Sequence, residues 1–290
     1  MKIGLLPNLT RAMALETTAS ICGWLRRYGA EFACLPENAE ELSGIRGMQV
    51  KNFSDLMNWC DTVITVGGDG SMLMAAKRIV DYDKPILCIN SGHLAFMAGL
   101  ERNEMPLLKN LIDGEYEIDN RMLIDAKLIR NGEVVETHHC INDAVLCRGR
   151  SVKITDLDIT CDDRLTNTYR ADGIIVATPT GSSGYSLSAG GPVINPSIEA
   201  IVVTPICPQS LFARSIVFSP ENRIEISRDP RSSNTDLVVS FDGEEVIDYQ
   251  PDDILSITKS KKYASFIRIK NENFFEILNK KLAGTEVKMS

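Results

Sequence analysis

Asp69 is the residue whose type and setting point most directly to chemistry. It lies in Gly67-Gly68-Asp69-Gly70-Ser71, after the β-branched run Thr62-Val63-Ile64-Thr65-Val66 and ahead of Met72, Leu73, Ala76, Ile79 and Val80 at helical spacing. That order predicts strand, tight turn and helix. Gly67, Gly68 and Gly70 free the backbone for positive φ and close ligand approach, while the first N–H groups of the helix point beyond the strand end. Such a place suits a phosphate. A carboxylate there repels its own ligand unless a metal ion bridges them or the carboxylate takes a proton from an attacking hydroxyl, which makes Asp69 the catalytic candidate. A hairpin turning at Asp69-Gly70 competes with this reading, but the Met/Leu/Ala run that follows repeats at three and four rather than two. No Gly precedes Lys-Ser or Lys-Thr, and Gly68 to Leu73 lacks the sixth-position glycine of a dinucleotide fingerprint.

A second stretch, Arg170 to Pro192, carries a buried strand from Gly173 to Thr178 that empties into hydroxyls and glycines, with Pro179 fixing the entry. Thr180, Ser182, Ser183, Ser186 and Ser188 offer donors to ribose or phosphate oxygens, and Tyr185 offers a ring to a base. A flexible Ser/Gly linker is the plainer alternative, countered by the apolar strands on both sides and the bracketing prolines. A serine-hydrolase elbow fails, because Gly181-Ser182-Ser183-Gly184-Tyr185 lacks the closing glycine. Asn142-Asp143 breaks the apolar run from Cys140 to Leu146: the amide can pair with an adenine edge and the carboxylate can accept from ribose hydroxyls. Taken alone, the pair also fits a turn or bulge. His138, His139 and Cys140 invite a metal, but adjacent histidines in a strand point to opposite faces, so zinc is not expected.

The elements that must position these groups come in two kinds. Up to about residue 118, strands (Ile3–Leu6, Glu31–Leu35, 62–66, 84–90) alternate with helices (capped by Thr10 and closed by Gly29; capped by Ser54; Met105–Ile112 closed by Gly114), with 37–53 as loop. This predicts a parallel sheet with ligands beyond the strand carboxyl ends. From about 119, helical periodicity gives way to short strands, beginning with a type I′ hairpin at Asn131-Gly132 and ending at Ile254–Thr258. A last helix, Asn271–Leu282, carries Phe274, Phe275, Leu278 and Leu282 on one face. The expected fold class is α/β: a Rossmann-like parallel domain over 1–118, joined by the C-terminal helix of 266–290, then a β-rich, β-sandwich-like domain over 119–265.

At 290 residues with 44% hydrophobic and 24% charged, the chain has room for two cores. A net charge of −8 argues against a nucleic-acid surface, and the one compact basic cluster, Lys259, Lys261 and Lys262, reads as a solvated loop. No apolar stretch approaches a membrane span, and Ile3 to Leu6 is too short for a signal-peptide core. Eight cysteines without a C-x-x-C pair, mostly inside apolar runs, suit reduced thiols in a cytoplasmic protein.

Taken together and in order, Gly67-Gly68-Asp69-Gly70, Asn142-Asp143 and Thr178-Pro179-Thr180-Gly181-Ser182-Ser183-Gly184-Tyr185 resemble the NAD kinase family. The third motif is specific; the first is shared with lipid kinases of the diacylglycerol type and, more loosely, with phosphofructokinases. The resemblance runs from the Ile3 strand to Asp242-Gly243, and implies a site between the two domains. It implies that Asp69 activates the 2′-hydroxyl of the adenosine ribose of NAD and that Gly67 to Gly70 hold the phosphates of ATP or polyphosphate. Asn142 and Asp143 would hold the adenosine of NAD and Asp172 the nicotinamide end, with Ser183, Gly184, Tyr185 and Ser188 forming an adenine and ribose surface alongside Thr180, Ser186 and Leu187. His93 and Phe96 would line the pocket, Lys153 and Arg170 would supply basic groups, and Asp242 would join the binding set. Mg²⁺ or another divalent cation would arrive on the donor, with no ligand set of the protein's own, and the assembly would be a homodimer or homotetramer. Departures from the family pattern are Ser71 for Thr, Ala95 and Ala171 for Gly, Gly184 for Ala and Asp143 for Glu. Competing functions are a lipid or sugar kinase, opposed by the lack of an amphipathic membrane face, and a dinucleotide-binding regulator, which has no need of Asp69.

Overall fold

The computed structural model describes residues 1–92, 95–232, 236–244, 246–271 and 273–286. The chain divides into two compact units, one made of Met1–Asn120 with Ala264–Ser290 and one of Arg121–Tyr263.

In the first unit, β-branched and aliphatic runs form β1 (Lys2–Pro7), β2 (Glu31–Cys34), β3 (Gln49–Val50), β4 (Thr62–Gly67), β5 (Ile86–Asn90) and β6 (Leu100–Glu101). Between them lie α1 (Ala14–Arg27), α2 (Phe53–Trp59), α3 (Asp69–Ile79) and α4 (Leu108–Asp113). The strands pair in the order β3-β2-β1-β4-β5, all parallel, which places the turns after β1, β4 and β5 along one sheet edge. Ile3, Leu5, Ile64, Val66, Leu87 and Ile89 from the sheet pack with Ile21 and Leu25 of α1 and Leu108 and Leu111 of α4 in one core.

Several boundaries differ from the sequence reading, each for a local reason. Thr10 does not cap α1; its hydroxyl donates to Asn8 Oδ1, and the helix begins after Met13 in a left-handed conformation. Asn52, not Ser54, caps α2, accepting from the Asp55 N–H. Gln49–Val50, read as loop, pairs with β2.

The second unit opens within β7 (Glu117–Arg130), which turns into β8 (Glu133–Cys140) through Asn131 and Gly132, both at positive φ as a type I′ turn demands. It continues through β9 (Asp143–Arg148), β10 (Thr155–Cys161), β11 (Arg164–Ala171), β12 (Gly173–Ala177), α5 (Tyr185–Ser188), β13 (Ile201–Ile206) and β14 (Ile216–Phe218). β15 (Ile224–Arg228), β16 (Leu237–Phe241), β17 (Val246–Tyr249) and β18 (Ile254–Arg268) complete it. One antiparallel sheet runs β14-β13-β12-β9-β16-β17; the other contains β11-β10-β15-β18 with the β7–β8 hairpin. Inward residues of both, among them Leu146, Ile174, Val176, Val203 and Val239 against Leu157, Ile159, Ile226 and Ile257, close one buried core, as a β-sandwich requires.

The Lys259–Lys262 segment is not a loop. β18 runs through it to Arg268, because Lys259 pairs with Glu199 at 2.5 Å and Lys262 lies 3.1 Å from His139 Nε2. The last five residues of that strand belong to the first unit, where Phe266 pairs in parallel with Ile86. The closing helix α6 (Phe274–Glu286) starts three residues later than its periodicity suggests and buries Ile277, while Phe275 stays exposed.

Candidate active site

In the first unit, α3 begins at Asp69 with Gly68 as its N-cap and no side-chain cap. Only one of the three glycines is sterically demanded. A Cβ on Gly67 would sit 2.6 Å from Ser71 Cβ, while Gly68 and Gly70 have nothing within 4 Å. The expectation of positive φ therefore fails at Gly68 and Gly70: Gly68 is extended (φ −100°), and Gly70 is a turn of ordinary helix. Their contribution is bare backbone.

Neighbouring strand ends fix the turn. Asn8, just past β1, donates its N–H to Val66 O (3.0 Å) and its amide to Ser71 Oγ (2.9 Å). The Ser91 N–H, past β5, reaches Gly67 O at 3.3 Å. Asn90 accepts from the Gly92 N–H (3.0 Å) and donates to Glu101 (2.8 Å), which ties down the loop that follows. That loop returns to the carboxylate: the Met97 N–H donates to Asp69 Oδ1 at 3.0 Å. Asp69 and Phe96 are both half-buried. His93 lies outside the described residues.

In the second unit, the residues singled out from three distant stretches converge. Thr178 donates its N–H to Asn142 O (2.8 Å) and its hydroxyl to Ile141 O (2.5 Å), and accepts from the Gly181 N–H (3.1 Å). Gly181 packs flat on Asn142; a Cβ there would lie 2.1 Å from the Asn142 carbonyl oxygen. Asp242 lies at the end of β16, and its carboxylate accepts from the N–H groups of Ile141, Asn142 and Asp143 at 3.1, 2.8 and 3.1 Å. Asp143 itself is buried, and burial first, then the nearby charge of Asp242, push its carboxyl up to about 7.

The hydroxyls of the turn divide into two groups. Ser182 and Ser186 are fully buried, the first bonding Pro179 O and the second Thr204 Oγ1. Ser186 was expected to bind ligand; its side chain instead closes the core beneath Gly191, where a Cβ would strike Ser186 Oγ at 2.4 Å. Gly184, Tyr185 and Ser188 are exposed, and Thr180, Ser183 and Leu187 half-buried. The segment read as an open loop is thus partly helical, a single 3-10 turn over Gly181–Ser183 and then α5.

Asp172 is held by Arg148, Nε to Oδ1 at 3.0 Å, and its backbone oxygen takes the Arg148 N–H at 2.8 Å. Lys153 and Arg170 are exposed. His138 stacks on Phe241 with ring centroids 4.0 Å apart, and His139 Nδ1 lies 2.7 Å from Asp125 Oδ1. Among the described residues, no group of three or more His, Cys, Asp or Glu gathers to hold a metal ion.

Residues that sequence reasoning missed are those acting at a distance: Asn8, Met97, Arg148 and Arg121, whose guanidinium meets Thr180 Oγ1 at 3.5 Å. Asn8 alone had a signal, a polar residue directly after the Pro7 that closes the first strand.

A carboxylate at a bare-glycine helix start on a parallel sheet, with a hydroxyl turn seated on an Asn-Asp pair in a β-sandwich, belongs to kinases of the Gly-Gly-Asp-Gly class. Residues 3–116 match the model of the ATP-NAD kinase N-terminal domain, and 141–269 that of the ATP-NAD kinase C-terminal domain. The chain belongs to the NAD kinase family, enzymes that phosphorylate NAD. It is 38% identical to the NAD kinase of Caldanaerobacter subterraneus subsp. tengcongensis over 288 residues, 97% of this chain and 98% of the relative. It is 37% identical to that of Thermoanaerobacter pseudethanolicus over the same shares. Among solved structures, yeast NADH kinase complexed with NADH superposes with a TM-score of 0.86 at 25% identity, covering 98% of this chain and 87% of the other. An NAD kinase from Archaeoglobus fulgidus in complex with ATP shares the fold, with a TM-score of 0.75 at 24% identity over 98% and 99%. Among the described residues, no helix is long and apolar enough to cross a membrane.

Proposed function

We propose that the chain transfers the terminal phosphoryl group of ATP, or of polyphosphate, to the 2′-hydroxyl of the adenosine ribose of NAD, yielding NADP. The observation that carries this reading is Asp69, a carboxylate at the open start of α3, oriented by the Met97 N–H rather than used to cap its helix. The name of the matching family models supports ATP as donor.

In this mechanism Asp69 accepts the proton of the ribose hydroxyl as that oxygen meets phosphorus, and the Gly68–Gly70 backbone receives the donor's phosphates. Phosphoryl transfer through a loose transition state asks mainly for alignment and charge neutralisation. Mg²⁺ or another divalent cation would supply that neutralisation, arriving on the donor's phosphates. Asn142 and Asp143 hold adenosine, the exposed Tyr185 offers its ring face, and Ser183 and Ser188 offer hydroxyls. Asp172 receives the nicotinamide end, its orientation set by Arg148. The reading includes a homodimer or homotetramer, supported by the exposed pair Leu211 (86%) and Phe212 (90%), and a cytoplasmic setting, supported by eight free cysteines of which five are buried.

Incubation with NAD, MgCl₂ and either ATP or polyphosphate, followed by assay for NADP, tests the reaction. Formation of NADP with at least one donor is the expected result; no NADP with either donor overturns it. Replacing MgCl₂ with EDTA should abolish turnover while NAD still binds.

A further inference from the structure

Asp242 does not sit as a ligand contact would. Its backbone is left-handed (φ 54°), a conformation that Asp and Asn accept more readily than most residues, and this turns the side chain back beneath the 141–143 segment. There three consecutive N–H groups share its two oxygens, while its own N–H donates to Asp143 O at 2.9 Å. Four bonds, three of them charge-assisted, hold four successive peptides between Cys140 and Ala144, and the Thr178 bonds secure the middle two from another side. The same arrangement brings two carboxylates together. Asp143 is 6% exposed, and among the described residues its carboxylate makes no hydrogen bond or ion pair.

We propose that Asp242 is a positioning residue for dinucleotide recognition, whose carboxylate fixes the Asn142–Asp143 backbone and whose negative charge adds to burial in making recognition through Asp143 weaken in acid. This rests on the reading above that Asn142 and Asp143 contact NAD. Among the described residues, the charged and titratable groups around Asp143 include Asp242, which faces it from the end of β16, and Tyr185, which interacts with it from α5. Its partner on β12 is Ala177, and Ala144 beside it pairs with Phe241, behind which the His138 ring is stacked. Among these described neighbours there is no lysine or arginine. Burial and the Asp242 charge therefore act in one direction, and the group titrates in the neutral range at about 7. As a carboxylate Asp143 accepts hydrogen bonds from ribose hydroxyls; once protonated it loses much of that acceptor strength.

The test is NAD affinity by calorimetry, without phosphate donor, at about pH 8 and about pH 6, where NAD itself does not titrate. For the wild type, affinity should fall about tenfold between the two, as one carboxylate titrating near neutrality requires. D143N should bind more weakly than wild type at the higher pH and show no dependence. D242N should also bind more weakly at the higher pH, but its loss between the two should shrink to about threefold or less, because the repelling charge is gone. A purely structural role for Asp242 would lower affinity and leave the wild-type ratio untouched. Should D242N fail to fold, D242G, whose backbone takes the left-handed conformation freely, gives the same readout. A pH-independent wild type, or a D242N or D242G ratio equal to the wild-type tenfold, overturns the inference while the NAD-kinase reading stands. Wild-type affinity in D143N at the higher pH overturns the assignment of Asp143 as a contact, and this inference with it.

Discussion

Gly68 and Gly70 have nothing within 4 Å of where a side chain would begin, whereas a Cβ on Gly181 would lie 2.1 Å from a carbonyl oxygen. The first unit's turn leaves backbone uncovered, and what fixes it are strand ends: Asn8, Ser91 and Met97. The second unit's turn spends most of its hydroxyls and N–H groups on itself, so that Ser182, Ser186, Thr178 and Asp242 build a floor and Gly184, Tyr185 and Ser188 are what that floor presents. Both are Gly- and Ser-rich turns after a buried strand. One is shaped to receive charge along the main chain, the other to hold a few side chains still.

Substitutions can break this contrast. The largest effect expected is that of Asp69→Asn, with kcat down by about 10² to 10⁴ and NAD affinity within about threefold of wild type, measured by turnover and calorimetry. Gly181→Ala comes next. The obstacle is main-chain oxygen, which cannot swing aside, so NAD binding should be lost and thermal stability reduced by about 1–3 kcal/mol or more. Gly67→Ala should destabilise too, since its φ is +159° and its Cβ would meet Ser71 Cβ, fixed to the helix backbone, at 2.6 Å, while Gly68→Ala and Gly70→Ala should melt as wild type and raise KM for the donor alone. If Gly68→Ala unfolds the protein, the turn is not the open surface described.

A fourth prediction separates function from stability in the second unit. The pKa of Asp143 in the folded chain lies above its unfolded value, so its contribution favours the fold fully at acid pH and is lost as pH rises through about 7. Asp143→Asn should therefore melt higher than wild type near pH 8, by a few kcal/mol at most, and the difference should shrink as pH falls and vanish only below the unfolded value of 3.8. The smallest effect belongs to Gly184→Ala. Its Cβ would meet only Gly181 O, at 3.2 Å, with φ at −98°, and KM for NAD should change by about twofold or less.

The sequence shows where these turns lie better than what they do with their atoms. The β4–α3 boundary is legible because Thr62–Val66 is β-branched and Met72–Ala76 is not, and the hairpin at Asn131-Gly132 because few other pairs accept two positive φ values. The Asp242 clamp is not legible, because its partners lie about 100 residues away and an Asp-Gly after a strand reads equally well as an exposed turn. Ser186 misled for the same reason: a serine among serines shows nothing of Thr204, eighteen residues on, to which its hydroxyl is bound. The length of β18 was hidden by its lysines, which pass for solvated until Glu199 and His139 are found opposite them. Charges in strands are read correctly only with their partners.

The pairing of Phe266 with Ile86 joins strands 180 residues apart in a parallel sheet, with the whole of 121–263 lying between them in the chain. During synthesis at roughly 5–20 residues per second, the nascent amino-terminal layer waits many seconds for its final strand, with that flank of β5 unpaired meanwhile. The β-sandwich, contiguous in the message, is free to close first. A nascent chain ending at residue 263 and cleared of the ribosomal exit tunnel by an appended linker should display a protease-resistant middle and a protease-sensitive start, the reverse of the usual vectorial order.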